Sequence, residues 1–310
     1  DLREGVIAEK DRYGNLKILQ HEIGPSEVQA AMLNSANLSR AKLTGAVAMN
    51  ADFTDAIMKD CRLARANLRG ATLTGANLEN ADLSGSNLTD ANLTNAVLVG
   101  AKLERAQIAG ADLSLALTEK TQGRDLKEFN APIETILRNH ARWIESEGRE
   151  GRPADLSGAD LRNLHDLSSR PLTALIAPRA VFYGLNLSGV SLQGSNLSGA
   201  DLRSTTLSGA DLRGANLSGA QLNYADLHDA KLGPLLIGQD RLLPARLDGA
   251  IMRYTDLRGA DLRRASINDA DLSFANFSDA DMRGIVLDGT TLTGTKLPFT
   301  YAERQDVLSA

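Results

Sequence analysis

Aromatic residues make up only 4% of this 310-residue chain, which contains a single tryptophan, Trp143. A core with so few rings must be filled by aliphatic side chains, and the 43% hydrophobic content is sufficient for that. One cysteine, Cys61, excludes an internal disulfide framework and suits a reducing compartment. The chain also has no apolar run long enough to cross a bilayer. The composition therefore indicates a globular fold built from many similar small units.

Histidine and cysteine are scarce, with four and one in the chain, and the sequence contains no recognisable catalytic or metal-binding motif. No two histidines have metal-ligand spacing, no serine lies in a nucleophile elbow, and no glycine-rich loop joins a strand to a helix. Cys61 occupies a small-residue position of a repeat, which favours a packing role over a nucleophilic one. The net charge of −5 is typical of neither a polybasic nucleic-acid binder nor an acidic tail. We predict no enzyme activity, no cofactor, no metal and no nucleic-acid ligand. The four histidines are His21, His140, His165 and His228.

A five-residue repeat dominates the chain. Residues 31–115 divide into 17 consecutive units of the form Ala-(Asn/Asp)-Leu-x-x, such as Ala36–Arg40. The same frame holds for 24 units over residues 180–299, as in Ala210–Gly214. Chance does not hold one frame over so many units, so the repeat decides the fold.

A period of five fits neither a straight helix nor a straight strand. On a helix the leucines would spiral around the axis, and on a strand they would alternate between the two faces. Alanine and leucine both point inward only if the chain bends once in every unit. Gly, Ser, Asn and Asp at the last two positions of a unit favour such a bend. The pattern predicts coils that stack with leucine upon leucine.

The tandem motif resembles that of the pentapeptide repeat family, over roughly three-quarters of the chain. The resemblance implies an all-β fold, a right-handed quadrilateral β-helix with four units in each coil. Residues 20 apart are then neighbours on one side. On that rule we expect Lys231 to follow Asp211, Arg246 to follow Asp226, and Asp261 to follow Arg241.

The breaks in the repeat divide the chain into five parts. A helical segment separates two arrays, a loop interrupts the second array, and short segments precede and follow them. Because the chain begins at Asp1 without a methionine, we interpret it as part of a longer protein. The predicted parts are a hairpin and lead-in at 1–30 (strands Val6–Lys10 and Leu16–Gln20), a first array at 31–115, a connector at 116–153, a second array at 154–299 with a loop at 235–244, and a C-terminal cap at 300–310.

The connector contains one amphipathic helix in the prediction. Asn130 can cap it, and Gly148 can end it. Its apolar face must be covered, so we expect it to pack at the end of the first array and to have a structural role. That face consists of Ile133, Ile136, Leu137, Trp143 and Ile144, with His140 among them.

Two features of the second array predict a binding surface. Tyr254 and Phe274 are outward and 20 apart, with Arg253 beside them, which is the composition of interaction hot spots. The 235–244 loop breaks the repeat and displays Leu236 and Leu243. We expect a single protein partner to contact both features.

Three functions are weighed. The first is a rigid, non-catalytic protein-binding scaffold of the bacterial cytoplasm, for which homo-oligomerisation is left open. The second follows from the resemblance, since some family members bind type II topoisomerases by mimicking DNA. Mimicry requires a dense acidic surface, whereas residues 31–115 carry eight acidic and eight basic residues, and residues 154–299 carry 16 and 14. The third, an enzyme, is disfavoured by the absences above, and the scaffold is therefore the prediction.

Overall fold

The computed structural model describes residues 7–10, 16–19, 31–120, 123–164 and 166–298. The chain divides into two compact units, Asp1–Lys120 and Thr121–Ala310. In the first unit, strands β1 (Ile7–Lys10) and β2 (Leu16–Leu19) form an antiparallel pair in which Ile7 lies opposite Leu19. The rest of the predicted lead-in and the predicted C-terminal cap lie outside the described residues.

The first array is a four-sided coil in which the second residue of each unit forms a parallel bridge to the residue 20 positions away. Asn77, for example, bridges both Ile57 and Val97. Two kinds of hydrogen bond hold this arrangement. The Leu78 N–H donates to the Val97 carbonyl of the next coil at 2.8 Å, and the Ala81 N–H closes a turn onto the Leu78 carbonyl at 3.0 Å. The bridges confirm four units in each coil.

The turn at the end of a unit explains its composition. The fifth residue takes a left-handed conformation, with φ of 56° at Asn80 and 70° at Gly100. Asn, Asp and Gly adopt this region at the lowest cost. The two positions are also neighbours along one corner, where the Asn80 side chain occupies the space that a Cβ at Gly100 would need. A glycine in one coil therefore makes room for a side chain of the coil before it.

Alanine and leucine at the first and third positions fill both cores. In the middle of the first array Leu68, Leu73 and Leu78 are fully buried. Cys61 is also fully buried, and its thiol donates to the Ala41 carbonyl at 3.2 Å. Burial raises the pKa of Cys61 to about 11, which favours the packing role over a nucleophilic one.

The second array starts at Asp155, whose bridge partner is Ile176, one position later than the repeat period places it. A 3-10 turn at Arg162–Leu164 absorbs this extra residue. From Asp166 onward the bridges return to a spacing of 20, as in Asp166 with Asn186. One inserted residue therefore disturbs a single turn and not a whole coil.

The sides of the second array are named A to D after the bridge residues of one coil, Asp211 (A), Asn216 (B), Gln221 (C) and Asp226 (D). Lys231 bridges Asp211, as the rule of four units in each coil predicts. The residue that bridges Asn216 on side B, however, is Arg246, which comes two repeat units later than that rule places it.

The two additional units leave the coil as a hairpin. Strands β3 (Leu235–Ile237) and β4 (Arg241–Leu243) pair antiparallel with each other. As a result Asp226 bridges Asp256, and Asp261 bridges Lys231. The predicted neighbours Arg246 with Asp226 and Asp261 with Arg241 are wrong, because the rule counted residues that are not in the ladder.

Helix α1 spans Ile133–Glu145 and follows a 3-10 turn at Leu126–Glu128. Pro132, not Asn130, is its N-cap, and no side chain caps it. Leu137 is buried in the core of the second array, with Ile133 and Ile136 packed against that core. The expectation that the helix packs on the first array is wrong, because its apolar face covers the first coil of the second. No helix in the described part of the chain is long and apolar enough to cross a membrane.

Candidate protein-binding surfaces

Three aromatic rings form a column along the corner between sides C and D. Tyr224 stacks on Tyr254 with 4.9 Å between ring centroids, and Tyr254 stacks on Phe274 at 5.0 Å, both with interplanar angles of 5°. The Phe274 ring in turn lies over Gly294, where a Cβ would come within 2.6 Å of it. The structure brings Tyr254 and Phe274 together as predicted. Tyr224 was missed because the ten-residue hairpin lies between it and Tyr254 in the chain. The two tyrosines are therefore 30 residues apart, not the 20 that the rule assumes for neighbours.

The rings contact mainly one another. Tyr224 and Tyr254 are half-buried, and only Phe274, at 42% exposure, is open to solvent. Arg253 does not extend outward beside them, because its Nε donates to Asp271 Oδ2 at 2.5 Å on the same side. The faces of the Tyr254 ring are therefore covered by Tyr224 and Phe274, and Arg253 is occupied by Asp271.

The hairpin has an inner and an outer pair of leucines. Leu235 and Leu243 face the coil, where a Cβ at Gly214 would lie 2.9 and 3.1 Å from them. Leu236 and Leu242 lie opposite each other in the strand register and are 60% and 42% exposed. The prediction that Leu243 is displayed is wrong, because residue alternation along β4 turns Leu243 inward and Leu242 outward.

The hairpin and the aromatic column lie at opposite corners of the coil. The hairpin leaves the chain between Lys231 on side A and Arg246 on side B. The rings follow Gln221 and Ile251 on side C, at the passage to side D. The prediction of one surface that combines both features is therefore wrong, since two sides separate them.

Many charged residues of the second array are paired within one repeat unit. In each Asp-Leu-Arg unit, and in Asp281-Met282-Arg283, the guanidinium binds the carboxylate two residues earlier, as in Arg203 with Asp201 at 2.7 Å. Hydrogen bonds from Arg263 lower the pKa of Asp261 below its ordinary value. Arg263 also approaches Asp281 at 3.7 Å, so this guanidinium lies between two carboxylates. The pairs are Asp160–Arg162, Asp201–Arg203, Asp211–Arg213, Asp256–Arg258, Asp261–Arg263 and Asp281–Arg283.

Helix α1 is joined to the array by His140, which is fully buried. Its Nδ1 accepts a hydrogen bond from the Ala154 N–H at 3.0 Å, and its ring stacks on Trp143 at 5.9 Å. Burial lowers the pKa of His140, against a smaller opposing effect of the Leu172 and Thr173 backbone. Trp143 and Ile144 are only half-buried, so the helix is held mainly by Leu137 and His140.

In the residues that the structure describes, no group of three or more His, Cys, Asp or Glu side chains is placed to hold an ion.

Several known structures resemble the chain. HetL, a pentapeptide repeat protein involved in heterocyst differentiation regulation in the cyanobacterium Nostoc sp. strain PCC 7120, is 27% identical over 88% of this chain and 92% of its own, with a TM-score of 0.17. A pentapeptide repeat protein from the Arabidopsis thaliana thylakoid lumen is 32% identical over 34% of this chain and 68% of its own, with a TM-score of 0.25. QnrB1, a plasmid-mediated fluoroquinolone resistance protein, is 15% identical over 91% and 96%, with a TM-score of 0.28. No curated protein matches the chain.

The family model for pentapeptide repeats matches in eight copies, within residues 49–116, 180–233 and 245–301. The gap between the last two ranges is the part of the chain that holds the hairpin. The matches cover more than half of the chain, so this protein belongs to the pentapeptide repeat family, whose members fold as right-handed quadrilateral β-helices.

Proposed function

We propose that this protein is a non-catalytic, protein-binding scaffold and that hairpin β3–β4 of the second array makes the contact. The observation that carries this proposal is the outward pair Leu236 and Leu242, at 60% and 42% exposure on a hairpin that leaves the coil. Two adjacent apolar side chains on a protruding element are typical of an interaction site.

The inner side of the hairpin supports this interpretation. Leu235 and Leu243 pack over Gly214, so the hairpin is anchored and its outer leucines are held in place. Because the hairpin is already ordered, less conformational entropy is lost when a partner binds. The aromatic column at Tyr254 and Phe274 is assigned instead to stability, since its rings stack on one another.

The charge pattern supports a scaffold over a DNA mimic. Residues 154–299 carry 16 acidic and 14 basic residues, and six of the aspartates are bound to an arginine two residues later. A surface of such pairs lacks the continuous negative potential of a duplex. The proposal also includes a protein as the partner and a cytoplasmic location, and it leaves homo-oligomerisation open.

The test compares two double variants of the full chain, Leu236→Ser with Leu242→Ser, and Tyr254→Ala with Phe274→Ala. A photo-crosslinker at position 239, near the hairpin tip, first identifies the partner, and affinity is then measured with the purified pair. We expect the hairpin variant to lose at least tenfold in affinity and the aromatic variant less than threefold. The opposite order, or equal affinity of the folded hairpin variant, would exclude the hairpin.

A further inference from the structure

A cleft of about 260 Å³ lies between helix α1 and the first coil of the second array. Glu134, Arg138 and Ala141 line it from the helix. Their spacing of four and three residues places them on one side of α1. Pro171 and Leu172 line it from the coil. The cleft is distant in the chain from hairpin β3–β4 and belongs to a different coil.

Pro171 explains why the cleft stays open. It heads the ladder of side A, where it bridges Ser191 of the next coil. In the described part of the chain no earlier coil bridges Pro171. Proline has no N–H to satisfy and is therefore suited to an unpaired edge. Helix α1 covers the core at this end but does not replace a strand, and space remains between them.

The cleft combines an apolar floor with a cationic rim. Leu137 and Leu172 are buried beneath it. At the rim Arg170 Nη1 lies 3.4 Å from Glu134 Oε2, an exposed ion pair of small strength. Arg138 is exposed, and no ion pair of Arg138 is found among the described residues. Two guanidinium groups against one carboxylate leave a positive charge for a ligand to neutralise.

We propose that this cleft binds the C-terminal carboxylate of a polypeptide whose last residue is aliphatic. The carboxylate contacts Arg138 and Arg170, because guanidinium groups bind carboxylates in a directional, two-pronged manner. The terminal side chain lies on Leu137, Pro171 and Leu172. The volume is below the roughly 300–1,000 Å³ typical of pockets for drug-sized ligands, which favours a single terminal residue.

Calorimetric titration of the full chain with the peptide acetyl-Gly-Ser-Val-Leu tests the proposal. We expect saturable binding, and at least tenfold weaker binding of the same peptide with a C-terminal amide. Arg138→Gln should weaken binding by a similar factor. The matched control is Arg142→Gln on the same helix, because Arg142 pairs with Glu150 and does not line the cleft. It should change affinity less than twofold.

Several results would overturn the proposal. Absence of saturable binding at millimolar peptide, equal binding of the amide, or an unaltered affinity of folded R138Q would each remove the site. Isovalerate that binds as tightly as the peptide would assign the cleft to free aliphatic acids instead of polypeptide termini. The hairpin proposal does not depend on any of these outcomes.

Discussion

The two arrays share one coil geometry but differ at their ends. In the last coil of the first array Ile108 and Leu113, at inward positions of the repeat, are 47% and 36% exposed. In the first coil of the second array Leu156 and Leu161 are fully buried. The second unit contains helix α1, whose Leu137 joins that core, whereas the first unit has no helix among its described residues.

The difference shows what a repeat cannot do for itself. Each interior coil is covered by the next, so alanine and leucine suffice for the core. A terminal coil has no neighbour on one side, and its leucines remain exposed unless another element covers them. Helix α1 therefore acts as a lid of the second array, and the family repeat alone does not provide one.

The largest effect is expected from the same substitution at the two array ends. Leu156→Ala, under the lid, should lower the free energy of unfolding by about 2–5 kcal/mol, because a fully buried leucine leaves a cavity. Leu113→Ala, at the open end, should cost less than about 1 kcal/mol. Urea unfolding followed by Trp143 fluorescence measures the loss of stability in Leu156→Ala. Hydrogen exchange of peptides within 91–117 measures the loss in Leu113→Ala. Equal costs would remove the distinction between the two ends.

The aromatic column of Tyr224, Tyr254 and Phe274 is a second feature that distinguishes the second array. Tyr254→Ala removes two ring stacks and should cost about 1–3 kcal/mol, whereas Tyr224→Ala removes one and should cost about half as much. Urea unfolding of the two variants gives the ratio. Equal losses would indicate that the rings act through burial of area and not through stacking.

Gly214, beneath the hairpin, should tolerate alanine less well than Gly219, which lies one unit later at an uncovered corner. Gly214 and Gly219 have nearly equal φ, 69° and 67°, so alanine at either position costs about 1–2 kcal/mol for the left-handed backbone. Only Gly214 is covered, by Leu235 and Leu243, while a Cβ at Gly219 meets nothing within 4 Å. We expect G214A to be the less stable by a further ~1 kcal/mol in thermal unfolding. Identical stabilities would mean that the hairpin does not pack there.

The smallest effect concerns pH. Burial lowers the pKa of His140, so below its unfolded value of about 6.5 the unfolded chain binds the proton first. The contribution of His140 to stability should therefore be constant above that pH and fall below it, by at most about 1.4 kcal/mol per pH unit. Residues 31–120 contain no histidine and serve as an internal control.

The matched variant for this prediction is His140→Asn, whose side-chain oxygen can accept the Ala154 N–H without titrating between pH 7.5 and 5.5. His228 acts in the opposite direction, because its hydrogen bond with Asp226 raises its pKa and adds stability at low pH. Only the difference between the wild type and H140N in Trp143 fluorescence is therefore diagnostic. An unchanged pH dependence in H140N would exclude His140 as the titrating group.

The repeat made most of the fold predictable. Its frame located the inward alanines and leucines and the turn residues, because these depend only on the position within a five-residue unit. The ladder between successive coils joins residues 20 apart, and it followed from the four units per coil that the family resemblance implied. Trp143 and Ile144 on helix α1 show the limit of this reasoning. Helical spacing defines the apolar face, but only the packing decides which residues are buried and which array the helix covers.

The site was less predictable for a similar reason. The loop at 235–244 was predicted from its broken pattern. Its length of two whole units does not reveal, however, that these residues are left out of the ladder. Because the prediction counted these ten residues in the ladder, it did not recognise Tyr224 as a neighbour of Tyr254, and it placed Arg246 beside Asp226. Gly233 and Pro234 before Leu235, with Pro244 after Leu243, were the available signal, since such residues bound an insertion.

The central claim is that residues 235–244 leave the coil, so that the ladder of side B passes directly from Asn216 to Arg246. Two cysteine pairs in a Cys61→Ser background test it directly. Parallel neighbours lie within the Cα separation of roughly 4.4–6.8 Å that a disulfide requires. We predict that Asn216→Cys with Arg246→Cys, which are bridge partners across the hairpin, forms an intramolecular disulfide on mild oxidation. Asp226→Cys with Arg246→Cys, the pair that an uninterrupted coil would make neighbours, should not. A disulfide in the second pair and none in the first would return residues 235–244 to the coil and contradict the account.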